Sequence, residues 1–447
     1  MTPGTVSFYT LGCKLNYSET SAIGRRFTEA GYQAIDFGDG ADIVVINTCS
    51  VTEFADRKCR NIVRRALGAN AGAKVVVVGC YAQLKPREIA DIEGVDLVLG
   101  AAEKFRILDY IDGIGLGSGK GMVRAGEVTE ADTFISSFSF GDRTRSFLKV
   151  QDGCDYKCTF CTIPLARGKS RSATVDQIVA DARAIAAKGV KEIVLTGVNI
   201  GDFGNGTSVI EGQRPRKEAL FSDLATALDE VEGITRFRIS SIEPNLCTDE
   251  LIDFVANSRR FAPHFHMPLQ SGNNKQLARM RRRYKRELYA ERVAHIRRVM
   301  PHACIGVDLI VGFPGETEED FLETYRFVQE LDVSYFHVFT YSERANTPAA
   351  EMDGVIPPAE RKRRNKMLGI LSEKKKRAHY ERHLGQVRPV LLEKSKTDGL
   401  LHGFTDNYVK VSFPGDDAWV NHLVEMRLGE IGADGLVQAE VASALAE

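Results

Sequence analysis

The chain has 447 residues, of which 43% are hydrophobic and 27% charged, and its 59 basic residues nearly balance 60 acidic ones. This length predicts about three domains rather than one, and the near-zero net charge argues against a generic nucleic-acid-binding protein. Two basic runs, at 279–286 and 361–377, depart from that balance. Each run by itself is equally consistent with the solvated face of a helix.

The sequence predicts a cytoplasmic protein without membrane attachment. No stretch approaches the ~18 apolar residues that a membrane span needs, and the N-terminus MTPGTVSFYTLGC lacks the basic start and apolar core of a signal peptide. Thiols stay reduced in the cytosol, so the nine cysteines favour metal binding or catalysis over disulfide bonds.

Residues 1–112 predict an N-terminal domain with a parallel α/β sheet, because short apolar runs such as DIVVINT and KVVVVG alternate with helical patterns. Cys13, Cys49 and Cys80 each follow one of these strands and precede a helix. Such positions share one edge of a parallel sheet, and a helix N-terminus favours a thiolate. The placement predicts a three-cysteine cluster with one open metal position. The alternative is that they are small buried side chains.

Residues 113–144 predict a linker between two domains. It begins with the glycine-rich stretch GIGLGSGKG and continues as a polar segment without a clear pattern. The glycine-rich stretch does not match a phosphate-binding loop, because Ile114 stands where the first glycine should be and Gly121 where Ser or Thr should follow the lysine.

Residues 145–384 predict six strand-then-helix units. Their strands are SFLKVQ, KEIVLTG, RFRISS, HFHMPL, IGVDLIVG and SYFHVFT. Repeated units of this kind form a parallel sheet with right-handed crossovers, either as a partial barrel or as an open doubly wound sheet. Polar or glycine-rich segments follow the strands, as a shared site at the carboxyl face of a barrel requires.

The segment DGCDYKCTFCTIP carries Cys154, Cys158 and Cys161 just beyond the first of these strands. Zinc sites and iron–sulfur clusters normally take four protein ligands, so three thiolates leave one metal position for a small molecule. Alternatively, a distant residue such as His264 or His266 completes a structural zinc site.

The spacing C-x3-C-x2-C differs from those of ferredoxins and paired zinc knuckles. It resembles the radical S-adenosylmethionine (SAM) superfamily. That resemblance implies that SAM occupies the open iron of a [4Fe-4S] cluster, and that the six units form a partial (βα)6 barrel related to the TIM barrel.

Residues 385–447 predict a small antiparallel β barrel, because short strands and turns alternate there. Alternation along the strand YVKVSF predicts that Val409, Val411 and Phe413 face inward and that Tyr408, Lys410 and Ser412 face outward. An outward aromatic residue beside a lysine suits RNA stacking and phosphate contact. It equally suits any solvent-facing strand.

The dispersed N-terminal cysteines, the barrel and a terminal domain similar to a TRAM domain together resemble the methylthiotransferases over nearly the whole chain. The segments TLGCKLNYSET, KVQDGCDYKCTFCTIPLARGKSRS and GFTDNYVKV look like the branch acting on threonylcarbamoyladenosine in tRNA. The prenyladenosine and ribosomal-protein branches carry other residues after the first cysteine, where this chain has Lys14 and Leu15.

This resemblance implies a radical SAM enzyme that adds a methylthio group to C2 of N6-threonylcarbamoyladenosine at position 37 of tRNA, next to the anticodon. It implies two [4Fe-4S] clusters and two SAM molecules per turnover: one cluster reduces SAM to give a 5′-deoxyadenosyl radical, and the other presents the sulfur. The implied metal ligands are Cys154, Cys158 and Cys161 for the first cluster and Cys13, Cys49 and Cys80 for the second. The implied partners are the tRNA anticodon arm, held partly by the basic runs, and an electron donor such as flavodoxin or ferredoxin.

The resemblance also places further residues of the barrel's carboxyl face near SAM; the alternative for each is a strand-end side chain with local partners. The implied cofactor-binding residues are Phe160, Gly312 and Pro314 near the adenine, Thr196, Gly197 and Asn199 near the amino group, Ser240 and Glu243 near the ribose, and His266 and Gln270 on the same face.

Two other functions fit parts of the sequence. One is the same chemistry on a ribosomal-protein aspartate, and the other is a non-catalytic iron–sulfur sensor that binds RNA. The polar strand ends argue against the sensor, since it needs no SAM cavity.

Overall fold

The computed structural model describes residues 4–49, 53–111, 121–141, 144–205, 219–395 and 399–442. All but the last residue of the predicted glycine-rich stretch at 113–121 lies outside the described residues. A parallel sheet, a partial barrel and a closed β barrel follow one another along the chain. In the described ranges no helix combines the length and the apolar character that a membrane span requires.

The first part is a six-stranded parallel sheet with helices on both faces. Its strands are β1 (Thr5–Thr10), β2 (Gln33–Ala34), β3 (Ile43–Thr48), β4 (Lys74–Gly79), β5 (Leu97–Leu99) and β6 (Met122–Arg124), in the order β2-β1-β3-β4-β5-β6. Its helices are α1 (Lys14–Glu29), α2 (Glu53–Ala69), α3 (Cys80–Leu84), α4 (Pro86–Ala90) and α5 (Leu108–Ile111). The central strands β3 and β4 are buried on both faces, which explains their unbroken apolar runs. The predicted parallel α/β fold is confirmed.

The predicted linker carries two strands in its described part. Strand β6 extends the first sheet, where Met122 pairs with Leu97. Strand β7 (Ser137–Phe138) pairs antiparallel with β8 (Ser146–Lys149), the first strand of the barrel. The sequence analysis missed both strands because each is too short to show a period. The segment therefore joins both neighbouring sheets rather than only connecting them.

The second part contains all six predicted barrel strands. After β8 come β9 (Gln151–Asp152), β10 (Arg171–Ser172), β11 (Glu192–Thr196), β12 (Arg236–Ile239), β13 (His264–Gln270), β14 (Cys304–Val311) and β15 (Tyr335–Thr340). The helices are α6 (Ile163–Arg167), α7 (Val175–Ala186), α8 (Phe221–Asp229), α9 (Asp249–Asn257), α10 (Asn274–Arg279), α11 (Arg286–Val299), α12 (Glu318–Glu330) and α13 (Pro358–Glu381). The sheets β12-β11-β8-β7 and β13-β14-β15 meet where Ile242 N donates to the His266 carbonyl at 2.9 Å. They form the predicted partial barrel.

Along each barrel strand, successive side chains point in turn toward the surrounding helices and toward the lumen. Leu195, Met267 and Leu309 belong to the apolar core under the helices. Their neighbours on the other face include His266 and Asp308, and these line the lumen. These two side chains make this part of the lumen polar and charged, as a binding site needs.

The third part is a closed five-stranded barrel in the order β16-β17-β18-β20-β19. Its strands are β16 (Val387–Lys394), β17 (Leu400–Thr405), β18 (Lys410–Pro414), β19 (Leu423–Ile431) and β20 (Val437–Val441). As predicted, Val409 and Val411 are fully buried and Phe413 packs against the same core. Neighbouring strands are antiparallel except for β18 and β20, which are parallel.

This terminal barrel covers the amino ends of the partial-barrel strands. Arg236 donates to the Pro389 carbonyl at 3.0 Å and Arg238 to the Asp406 carbonyl at 3.1 Å. Both guanidinium groups also donate to Glu192, at 3.1 and 2.9 Å. Burial alone would raise the pKa of Glu192, but Arg238 and Arg236 lower it to about 2. Paired charges thus join the two barrels at the end opposite the cysteine loop.

Tyr408 lies outside the core of the terminal barrel, as predicted, but it does not face solvent. The centre of its ring lies 4.4 Å from that of His264 and 4.6 Å from that of Phe404, within the contact between the barrels. Tyr408 precedes β18, which begins at Lys410, and has a φ of 68°. Tyr408 is therefore not a free surface for RNA stacking.

Candidate functional site

The three N-terminal cysteines meet at the carboxyl edge of the first sheet. Strands β1, β3 and β4 are adjacent, and Thr48 at the end of β3 pairs with Gly79 at the end of β4. Cys49 and Cys80 are the residues that follow this pair. A side chain on Gly12 would lie 2.5 Å from Cys49 Cβ, which places the loop of Cys13 against Cys49.

Asn16, in the first turn of α1, fixes this loop. Its side-chain nitrogen donates to the Leu11 carbonyl at 2.8 Å and to the Thr48 carbonyl at 3.0 Å, so it ties the ends of two strands together. The Cys13 thiol lies 3.8 Å from Asn16 Oδ1. Gly12 adopts a φ of 106°, a conformation that favours glycine, and lets the loop pass Cys49.

Cys154, Cys158 and Cys161 lie in the loop between β9 and α6. The loop is closed by the Cys154 amide, which donates to the Gly168 carbonyl at 3.0 Å. Gly153 has a φ of 71°, and a Cβ there would lie 1.9 Å from the Lys169 carbonyl oxygen. A side chain at this position would therefore displace the loop that carries the three thiols.

The electrostatic surroundings of this second trio fit a bound metal cluster. Burial, together with the neighbouring thiols, raises the pKa of Cys154 to about 12 and that of Cys161 to about 11. Without a cation these groups stay protonated, whereas coordination to a metal deprotonates a thiol outright. Arg282 donates to Cys158 Sγ at 3.1 Å and forms an ion pair with Glu243, so it offsets part of the negative charge of bound thiolates.

The thiol of Cys13 departs from the prediction that a helix N-terminus favours its thiolate. Burial raises its pKa more than Arg167 lowers it. The residue nevertheless has an exposed surface, so a ligand can reach it. As at the second trio, a metal would be needed to hold it as a thiolate.

A buried ion cluster joins the two trios. Glu19 of α1 accepts from Arg167 at 3.0 Å, Lys104 at 2.8 Å and Lys149 at 3.3 Å. Arg167, at the end of α6, also donates to Asn16 Oδ1 at 2.7 Å. The loop of Cys13 and the segment that follows Cys161 are therefore held by the same guanidinium group.

Asn199 has the environment of a ligand-binding side chain. It is 3% exposed, and neither its Oδ1 nor its Nδ2 has a hydrogen-bond partner among the described residues. Its backbone is fixed, because Gln151 Oε1 accepts from the amides of Val198 at 3.0 Å and Asn199 at 2.8 Å. A buried amide without partners is costly, so this side chain suits a polar ligand. Thr196 and Gly197 lead into the same turn.

Other predicted cofactor-binding residues have local partners. Glu243 is paired with Arg282. Gly312, with a φ of 73°, donates its amide to Glu316 at 2.7 Å, and the Pro314 carbonyl accepts from Arg279 at 3.2 Å.

Three further predicted residues, together with His264, also have defined surroundings. Phe160 packs edge to face against Phe313, with their ring centres 6.4 Å apart. Ser240, just after β12, is buried. Gln270, at the end of β13, adopts a φ of 69°. His264 contacts Tyr408 in the terminal barrel, which argues against it as the fourth ligand of a zinc site.

His266 lies in the lumen beside Asp308 and His337. Of these three residues, only His266 was predicted as a site residue. Its Nε2 lies 2.9 Å from Asp308 Oδ1, and its Nδ1 lies 3.2 Å from the Tyr335 hydroxyl. His337 Nδ1 approaches the same carboxylate oxygen at 3.3 Å. Asp308 and His337 pair in neighbouring strands, and only this register brings them together with His266.

Some side chains of the first basic run, 279–286, lie in the interior and others lie on the surface. The sequence alone does not show which are which. Arg279 and Arg282 turn inward to the Pro314 carbonyl and to Cys158. Arg281 and Lys285 are exposed. The run therefore serves both the cysteine loop and a basic surface beside it.

The sequence profile of the Radical SAM superfamily matches residues 148–328, and that of the uncharacterised protein family UPF0004 matches residues 5–100. Among curated relatives, the threonylcarbamoyladenosine tRNA methylthiotransferase MtaB of Bacillus subtilis (strain 168) is 40% identical over 438 residues, covering 96% of this chain and 94% of the relative. The chain belongs to the radical SAM methylthiotransferase family.

Within this methylthiotransferase family, the tRNA-2-methylthio-N(6)-dimethylallyladenosine synthase of Protochlamydia amoebophila (strain UWE25) is 30% identical and covers 94% of this chain and 92% of its own length. Among solved structures, the radical SAM methyltransferase TsrM of Kitasatospora setae matches the methylthiotransferase fold with a TM-score of 0.58 at 15% identity, covering 77% of this chain and 75% of TsrM.

We predict that Glu19→Gln lowers the free energy of unfolding at pH 7.5 by about 3 kcal/mol, because it leaves buried cations unpaired. Burial alone would raise the pKa of Glu19, but Arg167, Lys104 and Lys149 hold it well below its usual range. The stabilisation is therefore fully present well above the ordinary pKa of about 4.3 and is lost progressively as the pH falls from there toward the lower pKa of the folded state. Urea denaturation of both proteins at pH 7.5 and at about pH 3 measures this difference.

The matched control is Glu29→Gln, at the exposed end of the same helix. A Glu19→Gln variant as stable as this control at pH 7.5 would contradict the assigned role of the ion cluster.

Proposed function

We propose that this chain is a tRNA methylthiotransferase that adds a methylthio group to C2 of N6-threonylcarbamoyladenosine at position 37. The observation that supports this most directly is the pair of cysteine trios held together by one guanidinium group, in a chain 40% identical to a threonylcarbamoyladenosine tRNA methylthiotransferase. The sequence identity of this chain to a tRNA-2-methylthio-N(6)-dimethylallyladenosine synthase is lower, at 30%.

The cofactors are two [4Fe-4S] clusters and SAM. Together they supply the electron, the hydrogen-abstracting radical, the sulfur and the methyl group, and two SAM molecules are used per turnover. We assign Cys154, Cys158 and Cys161 to one cluster and the trio of the first domain to the other. Each trio leaves one metal position without a protein ligand.

The side chains around the clusters and SAM bind these groups and orient them. We assign Asn199 to the polar end of SAM, since its amide is buried without a partner on a backbone fixed by Gln151. Arg282 balances the negative charge at Cys158. The terminal barrel covers the amino ends of the strands and so closes one end of the lumen. A closed lumen excludes water from reactive species.

We propose that the anticodon arm binds beside the cysteine loop. Arg281, Arg283 and Lys285 are exposed there, and the Arg283 guanidinium lies 3.8 Å from the centre of the Tyr156 ring. Phosphate contacts of this kind hold RNA without reading its sequence. A cytoplasmic location and an electron donor such as flavodoxin or ferredoxin are parts of the same proposal.

Comparison of digested tRNA nucleosides by mass spectrometry, from cells with and without the gene, tests the function. Loss of methylthio-threonylcarbamoyladenosine, with its precursor accumulating, is the expected result. If that nucleoside is unchanged and a ribosomal-protein aspartate loses a methylthio group instead, the alternative substrate is correct. If neither changes, the non-catalytic sensor gains support.

We predict that Gly12→Ala and Gly153→Ala each remove about four of about eight irons per reconstituted chain, because a Cβ would lie 2.5 Å from Cys49 Cβ in the first and 1.9 Å from the Lys169 carbonyl in the second. Gly153→Ala should lose SAM cleavage. Gly12→Ala should keep SAM cleavage and lose the methylthio product. Iron analysis and chromatography of the SAM products measure both.

The matched control is Gly369→Ala, since a Cβ on Gly369 in α13 meets no atom within 4 Å. Full iron content in either loop variant would refute the assignment of that trio.

We predict that the double variant Arg281→Gln and Lys285→Gln weakens tRNA binding and reduces the slope of log affinity against log salt by about one or more. Neither side chain has a carboxylate partner in the described part of the chain. Filter binding between 50 and 300 mM salt measures the slope. An unchanged slope would show that this surface does not hold the RNA, and Arg183→Gln, exposed on α7, controls for loss of charge elsewhere.

A further inference from the structure

Lys14 is a cation beside the first cysteine trio that lacks an anion of its own. It is the first residue of α1 and directly follows Cys13, so it stands next to the trio assigned to the sulfur-bearing cluster. Its side chain has an exposed surface, yet it lies close enough to Arg145 and Arg238 of the barrel for their charges to act on it. It thus extends from the first domain toward the lumen.

The carboxylates near Lys14 are already engaged by other groups. Glu192 accepts from Arg238 at 2.9 Å, and Arg145 pairs with Glu393 at 2.7 Å. Asp308 acts on Lys14 from a distance, and its Oδ1 lies 2.9 and 3.3 Å from ring nitrogens of His266 and His337. No carboxylate in the described part of the chain lies within 4.0 Å of the Lys14 ammonium.

A cation that lies close to other cations attracts an anion. The substrate of the proposed function supplies one, because the threonylcarbamoyl group ends in a carboxylate whereas a dimethylallyl group has no charge. On adenine, C2 and C6 flank N1, and C6 carries the exocyclic nitrogen N6. A base with C2 at the sulfur-bearing cluster therefore directs its N6 substituent to groups beside that cluster.

We propose that Lys14 binds the carboxylate of the threonylcarbamoyl group and so selects this nucleoside over uncharged N6-modified adenosines. Arg145 and Arg238 add positive potential behind it, and they remain occupied by Glu393 and Glu192. This proposal rests on the proposed function and names the residue that sets its substrate specificity.

The test measures binding of two anticodon stem-loop RNAs that differ in one charge. One carries threonylcarbamoyladenosine and the other its methyl ester, in which the carboxylate is neutral. We expect the reconstituted wild-type protein to bind the acid at least 10-fold more tightly, as a charge-assisted hydrogen bond allows. In Lys14→Met the ratio should fall close to one, and in Lys14→Arg most of it should remain.

The control is Lys188→Met, an exposed lysine at the opposite end of the barrel from the cysteine loop. It removes the same charge and should leave the acid-to-ester ratio at its wild-type value. Iron content is measured for every variant, so that a disturbance at Cys13 is recognised separately from lost selectivity.

A Lys14→Met protein that retains the wild-type ratio would overturn the proposal. So would a wild-type protein that binds acid and ester equally, or a Lys14→Arg variant that loses as much as Lys14→Met. These outcomes differ from failure of the proposed function, which shows as wild-type enzyme forming no methylthio product on the threonylcarbamoyladenosine RNA.

Discussion

The structure depends most on the buried ion cluster around Glu19, because it holds the first domain against the barrel. Glu19 and Asp152 face four cations, namely Arg167, Arg171, Lys104 and Lys149. A buried group with this excess of positive charge is stable only when further negative charge is near. The thiols of Cys13 and Cys80 act on Arg167, so thiolates on a metal cluster would complete the charge balance.

Pairing of opposite charges also occurs along the whole length of the barrel. At the amino end of β12, Arg236 and Arg238 bind carbonyl groups of the terminal barrel and share Glu192. In the middle, His266 and His337 hold Asp308. At the cysteine loop, Arg282 pairs with Glu243 and donates to Cys158. Lys14, beside the first cysteine trio, has no such partner in the described part of the chain, and that is why the substrate carboxylate is assigned to it.

The sequence predicted features that repeat with a period or stand at strand ends. The six barrel strands and the edge shared by Cys13, Cys49 and Cys80 follow from alternating strand and helix patterns. Contacts between domains leave no such pattern: Tyr408 has an outward position in the alternating run YVKVSF, yet it meets His264. Likewise, the inward arginine at 282 and the exposed arginine at 281 look alike in a basic run. Strand register, which joins Asp308 to His337, is fixed only by the folded sheet.

The central claim is that this chain holds two metal clusters, each by three thiolates, joined by the buried ion cluster around Glu19. Diffraction from the reconstituted protein on both sides of the iron absorption edge tests it most directly. We expect two separate groups of anomalous peaks in each chain, one bonded to Cys13, Cys49 and Cys80 and the other to Cys154, Cys158 and Cys161. A single iron group, or a group bonded to other residues, would contradict the claim.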